Sequence, residues 1–154
     1  MPEPLSEQRS AFPALSGGWP GRADPILTGG IMDHSERFLK IVDDTKSRIQ
    51  EISVAGTRKK LDAGNPVFFI DVREDHEWAK GHAKGALHLG KGIIERDIEK
   101  TVPDQNAEII LYCGGGYRSA LAADALQKMG YRRVFSMAGG YKDWVESGQP
   151  VVQE

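Results

Sequence analysis

Apolar positions in this chain gather into short, dense runs separated by charged stretches punctuated with glycine. The two densest, Val67-Phe68-Phe69-Ile70 and Ile109-Ile110-Leu111-Tyr112, have the length and β-branched or aromatic content of buried strands. Ile52-Ser53-Val54 reads as a short edge strand, Leu87-His88-Leu89 as a short strand, and Arg133 to Met137 as the last. Between them lie helical patterns. Thr57 to Ala63 is ended by Gly64-Asn65-Pro66, and Glu74 to Lys80 is anchored by Trp78. A turn over Gly81 to Gly85 follows. Gly92 to Lys100 carries Ile93, Ile94 and Ile98 and stops before Pro103. After Tyr117, Ala122, Ala125, Leu126 and Met129 recur at helical spacing with Gly130 at the stop, and Tyr141 to Ser147 closes around Trp144. Strands alternating with helices at this spacing predict an α/β fold, a largely parallel sheet covered on both faces. Ligands of such sheets sit beyond the carboxyl ends of the strands, and Cys113 stands at one such end.

Upstream of this alternation a helix is predicted from Asp33, which with Glu36 makes a capping-box-like start. Phe38, Ile41, Val42, Ile49 and Ile52 form its apolar stripe, read as packing on its own domain, with a dimer contact as the lesser reading. Residues 1–32 hold five of the eight prolines and five glycines among scattered apolar residues. They are expected to be a disordered or loosely attached tail, and Met32 is an alternative start. The expected division is tail 1–32, helix 33–50 and α/β domain 51–154.

Composition narrows the function classes. A length of 154 residues allows one real core, and a net charge of −2 gives no electrostatic footprint for nucleic acid or an acidic membrane. No apolar run approaches a membrane span or a secretory h-region, so a cytoplasmic location is expected. The single cysteine excludes an internal disulfide, and anything loaded onto it must leave to another molecule. The four histidines show no metal-ligand spacing, so no metal or cofactor is expected.

The chemistry concentrates after the second dense run. Cys113 is followed by Gly114, Gly115 and Gly116, then Tyr117, Arg118 and Ser119 at the start of a helix. Glycines let the backbone curl with no side chain between its N–H groups and a ligand. Inward-turned N–H groups and a helix N-terminus make an anion-binding concavity, with Arg118 at its rim. A cysteine there is expected to be partly or mostly thiolate at neutral pH, both nucleophile and carrier of a leaving group. A lone cysteine is more often a small buried hydrophobe; the joint pattern of cysteine, glycine loop, arginine and helix start favours function. Asp71 and Arg73 follow a core strand and could reach the same edge. A structural ion pair is the favoured reading for them, and Asp71 support of the loop the other. Tyr117 either shapes the pocket mouth or covers the core.

These residues carry a family resemblance. Tyr112-Cys113-Gly114-Gly115-Gly116-Tyr117-Arg118-Ser119 resembles the active-site loop of rhodanese-like sulfurtransferases, which commonly read Tyr-Cys-x-x-Gly-x-Arg-Ser. Ile70-Asp71-Val72-Arg73-Glu74 with Glu77-Trp78 and Gly81-His82-x-x-Gly85-Ala86 resembles that family's first signature. Met137-Ala138-Gly139-Gly140-Tyr141 with Trp144 and Gly148-Gln149-Pro150-Val151 resembles its C-terminal one. The resemblance implies a five-stranded central sheet with helices on both faces and a Cys113 persulfide. It also implies a small sulfane donor such as thiosulfate and a cyanide or thiol acceptor, and it allows an acceptor protein. Cys113 is then the nucleophile, Arg118 attracts the donor, and the amides of Gly114 through Ser119 form the cradle. Two other readings use the same loop. Cysteine phosphatases and arsenate reductases on this fold resemble it, but the phosphatases carry Cys-x5-Arg where this chain has Cys113-x4-Arg118, a bowl better sized for one sulfur. A non-enzymatic sulfur carrier would also use Cys113.

Overall fold

In the computed structural model, which describes residues 34–153, the two densest apolar runs become neighbouring inner strands of one sheet. Strands β1 (Gln50–Ile52), β2 (Val67–Asp71), β4 (Leu87–His88), β5 (Glu108–Tyr112) and β6 (Arg133–Met137) lie in the order β1-β6-β5-β2-β4. Every pairing among them is parallel. The five-stranded parallel sheet expected from the sequence is thus the sheet observed. The tail expected over residues 1–32, and the cap expected at Asp33, lie outside the described residues.

All five positions of β5 are buried, and its side chains alternate between two cores. Ile109 and Leu111 face one core, with Ile70 of β2 and Val134 of β6. Helices α4 (Ile94–Thr101) and α5 (Tyr117–Lys128) cover it through Ile94, Ile98, Ala122, Ala123 and Leu126. Ile110 and Tyr112 face the other, with Phe69, Met137 and Trp144, under α2 (Val54–Asp62) and α6 (Gly140–Glu146). The period of two carries Cys113 to the α4–α5 side, where it joins the first core. Glu108 opens this buried strand without an unpaired charge because Lys60 and Arg133 both lie 2.5 Å from its carboxylate.

Several boundaries differ from expectation for local reasons. The edge strand read over 52–54 is Gln50–Ile52, because the Ser53 hydroxyl accepts the Gly56 N–H at 2.9 Å and caps α2. The following helix therefore starts at Val54 rather than Thr57. The predicted N-terminal helix is α1 (Glu36–Lys46); the chain turns at Ser47 and Arg48, which donate to the carbonyls of Asp44 and Thr45. Ile49 still packs on the first core, while Ile41 is 58% exposed and lies off the buried stripe. The turn read over 81–85 contains β3 (His82–Ala83), paired antiparallel with β7 (Val151–Val152).

Candidate active site

The site is built where β5 ends. Cys113 is 1% exposed, and its Sγ accepts the Gly116 N–H at 3.1 Å and the Ser119 N–H at 3.4 Å. The Ser119 hydroxyl lies 3.5 Å from the same sulfur and 2.8 Å from the Ser136 hydroxyl of β6. Gly116 reaches this position with a φ of +100°, a conformation that disfavours any side chain. An added Cβ there would also lie 3.4 Å from the Gly139 nitrogen. The cradle on the thiol itself thus comprises two of the amides expected between Gly114 and Ser119. Among the described residues, nothing accepts from the Gly114 or Gly115 N–H.

The C-terminal signature holds this loop from behind. The first turn of α6 donates to it, Tyr141 N–H to the Cys113 carbonyl at 2.7 Å and Lys142 N–H to the Gly114 carbonyl at 3.1 Å. Gly140 has a φ of +55°, and a Cβ there would stand 2.5 Å from the Cys113 carbonyl oxygen. A glycine is needed for helix and loop to approach this closely.

Arg118 is at the loop, as expected, but its guanidinium is engaged. It donates to both oxygens of Glu77 on α3 (Asp75–Lys80), at 2.9 and 3.1 Å, a forked pair in which each side chain keeps roughly a third of its exposure. Its Nη2 lies 3.1 Å from where a Gly114 Cβ would be, so the fork sits directly on the glycine loop. Arg118 holds the Glu77 carboxyl below the usual carboxylate range, by the hydrogen bonds first and by charge second. Glu77 was visible in the first signature, but no local spacing marks it as a partner of a residue 41 positions on.

Tyr117 folds its ring over Gly115, with Cε2 3.6 Å from an added Cβ. Phe38 of α1 packs 6.2 Å from that ring, centroid to centroid, and Lys46 Nζ sits 5.2 Å from it. The N-terminal helix therefore supplies an aromatic and a cation beside the loop tip, neither legible from the loop's own sequence.

Asp71 and Arg73 form a buried ion pair at the end of β2, with side chains 0% and 6% exposed. Arg73 Nε lies 3.0 Å from both Asp71 oxygens, its Nη2 donates at 2.7 Å to Asp71 and to the Gly81 carbonyl, and its backbone N–H donates to Asp71 at 2.8 Å. The guanidinium lies 4.1 Å from the centre of the Tyr141 ring. This pair clasps the first signature to the last and makes no hydrogen bond to Cys113. His82 stacks on Trp78 at 3.4 Å, and His88 packs on the same indole at 4.9 Å. Among the described residues, no group of three His, Cys, Asp or Glu is arranged to hold a metal ion, and no helix is long and apolar enough to cross a membrane.

Comparison with known proteins gives this geometry a context. A family model described as a rhodanese-like domain matches residues 53–147. A Bacillus subtilis (strain 168) protein provisionally named as a sulfurtransferase, YtwF, is 33% identical over 102 residues, 66% of this chain and 96% of that one. A second from the same organism, provisionally named as a sulfur carrier, YrkF, is 33% identical over 101 residues; the match spans 66% of this chain and about half, 54%, of that protein. Among solved structures, one from Rhodopseudomonas palustris CGA009, of unknown function and described as a possible tyrosine phosphatase, superposes with a TM-score of 0.71 at 26% identity. It covers 80% of this chain and all of that one.

Proposed function

The chain belongs to the rhodanese-like domain family, and from that premise we propose that it is a sulfurtransferase working through a persulfide on Cys113. The thiolate attacks the outer sulfur of a sulfane donor; a new S–S bond forms as the donor's own S–S bond breaks. With thiosulfate the leaving group is sulfite, and with a hydropersulfide it is a thiolate. The outer sulfur then passes to cyanide or a thiol, regenerating the cysteine. A cytoplasmic setting, which keeps thiols reduced, suits this cycle.

The observation that carries the reading is the pair of backbone donors, Gly116 and Ser119, aimed at Sγ. They are preset to stabilise negative charge on sulfur before the reaction begins. Ser119, tied to Ser136, adds a hydroxyl to the same atom. The N–H groups of Gly114 and Gly115 are then available to a second, outer sulfur. Because Cys113 is almost wholly buried, the loop admits a donor's terminal atom rather than a bulky group.

Phosphate chemistry is the second reading, favoured by the structural neighbour described as a possible tyrosine phosphatase. Two features weigh against it here. Four residues separate Cys113 from Arg118, and the guanidinium that would clamp a tetrahedral oxyanion is committed to Glu77. The sulfur-carrier name of YrkF fits a variant of the first reading, in which Cys113 hands its sulfur to a partner protein.

Parallel turnover assays separate the readings. The protein should transfer sulfur from a sulfane donor to cyanide and leave p-nitrophenyl phosphate untouched, with transfer lost in Cys113→Ser. Phosphate release matching or exceeding sulfur transfer would replace the first reading with the second.

A further inference from the structure

We propose that Glu77 determines donor specificity by neutralising Arg118, turning the site against dianionic donors such as thiosulfate and toward hydropersulfides. The proposal rests on the sulfur-transfer reading and names its donor class. Arg118 is the one cation within the Cys113–Ser119 loop. Its two terminal nitrogens each donate to one Glu77 oxygen, so its charge is paired, and Nη2 lies 3.1 Å from where a Gly114 Cβ would stand, beside the loop that holds the thiol. A guanidinium held this way offers an approaching anion a neutral pair.

The surrounding charges do not restore attraction. Glu74 lies close enough to act on Arg118 electrostatically, as does Cys113. Arg73 is closed in its own pair with Asp71. Lys46, beside the Tyr117 ring, lies 3.7 Å from Glu51. With Cys113 ionised, the thiolate, Glu77 and Glu74 outnumber Arg118 and Lys142, the latter on the first turn of α6 behind the loop. Thiosulfate brings two further negative charges; a hydropersulfide brings at most one on its reacting group. Like charge opposes the first more than the second. Both steps balance: thiolate plus thiosulfate gives the Cys113 persulfide anion and sulfite, and thiolate plus R–S–SH gives the protonated persulfide and RS⁻.

Glu77 is a positioning residue under this proposal, and its test reads donor discrimination rather than activity alone. Loading of Cys113 is followed by intact mass with thiosulfate and with the persulfide of 2-mercaptoethanol. In Glu77→Gln the ratio of the thiosulfate rate to the persulfide rate should rise about two- to fivefold, the effect of one unit charge on the one or two extra negative charges of thiosulfate at several ångströms in a watery site. An unchanged or lower ratio overturns the proposal. Should Glu77→Gln fail to fold, the wild-type chain decides by salt. Loading by thiosulfate should hold steady or quicken as ionic strength rises; slowing would reveal an attractive site and overturn the proposal. If neither donor loads the wild-type thiol, the sulfur-transfer reading falls and this proposal falls with it. Loading by both, with no change of ratio, removes only the role of Glu77.

Discussion

What a substitution costs at the end of β2 depends on what it leaves behind. Asp71→Asn would leave the Arg73 guanidinium buried without its counter-ion, a loss of about 3–5 kcal/mol. Because the pair clasps Gly81 and Tyr141 and makes no hydrogen bond to Cys113, stability should fall more than the rate at which the folded fraction takes up sulfur. Urea unfolding alongside intact-mass loading checks this; normal unfolding with abolished loading would give Asp71 a chemical role. Gly140 shows the reverse balance. Gly140→Ala would cost about 1–2 kcal/mol in backbone strain alone, and its Cβ would press on the Cys113 carbonyl. Shifting the loop by even a fraction of an ångström spoils the aim of the Gly116 and Ser119 donors, so loading should slow by about tenfold or more. Loading at the wild-type rate would show that α6 does not set the loop.

At the scale of elements, α1 and α5 work as a unit. The helix α5 is buried beyond a single stripe, Asp124 included, because α1 and the turn after it cover its outer side. Arg48 from that turn donates to Asp124 at 3.1 Å, and Gln127 donates to the Arg48 carbonyl at 3.0 Å. The hydrogen bond from Arg48, helped by the one from Lys128 and opposed by burial, holds the Asp124 carboxyl below the usual carboxylate range. A carboxylate depressed in the folded state stabilises it at pH values above its unfolded pKa, near 4, and loses that contribution as pH falls through the folded value. Asp124→Asn should therefore cost about 1 kcal/mol or less at pH 7, the Arg48 side chain being 45% exposed. The difference from wild type should vanish on the acid side of pH 4. Hydrogen exchange across 36–46 is the readout, and a penalty that persists at low pH would contradict the assignment. Since α1 also carries Phe38 and Lys46 to Tyr117, loosening it should be felt at the loop.

For the molecule as a whole, three stretches far apart in sequence meet at one sheet edge. The inner strands were legible because burial on both faces leaves dense apolar runs, as in Ile109 to Tyr112. The thiol loop was legible because its glycines, arginine and helix start are consecutive. Pairings between distant segments were not. His82–Ala83 and Val151–Val152 form two-residue strands whose patterns are too short to read, and their pairing exists only once the fold brings the two segments together. Glu77 looks like any helix-surface acid until the fold brings Arg118 to it, and Ser53 looks like a strand residue until its hydroxyl is seen capping α2. Local chemistry was written locally, and the electrostatics of the site were written across the fold. The central claim is that Cys113 holds a transferable sulfur within that loop. It is tested most directly by the intact mass of the protein after incubation with a sulfane donor and again after cyanide. A gain of one sulfur that cyanide removes, absent in Cys113→Ser, is the predicted result; no gain, or a gain that survives in Cys113→Ser, would contradict it.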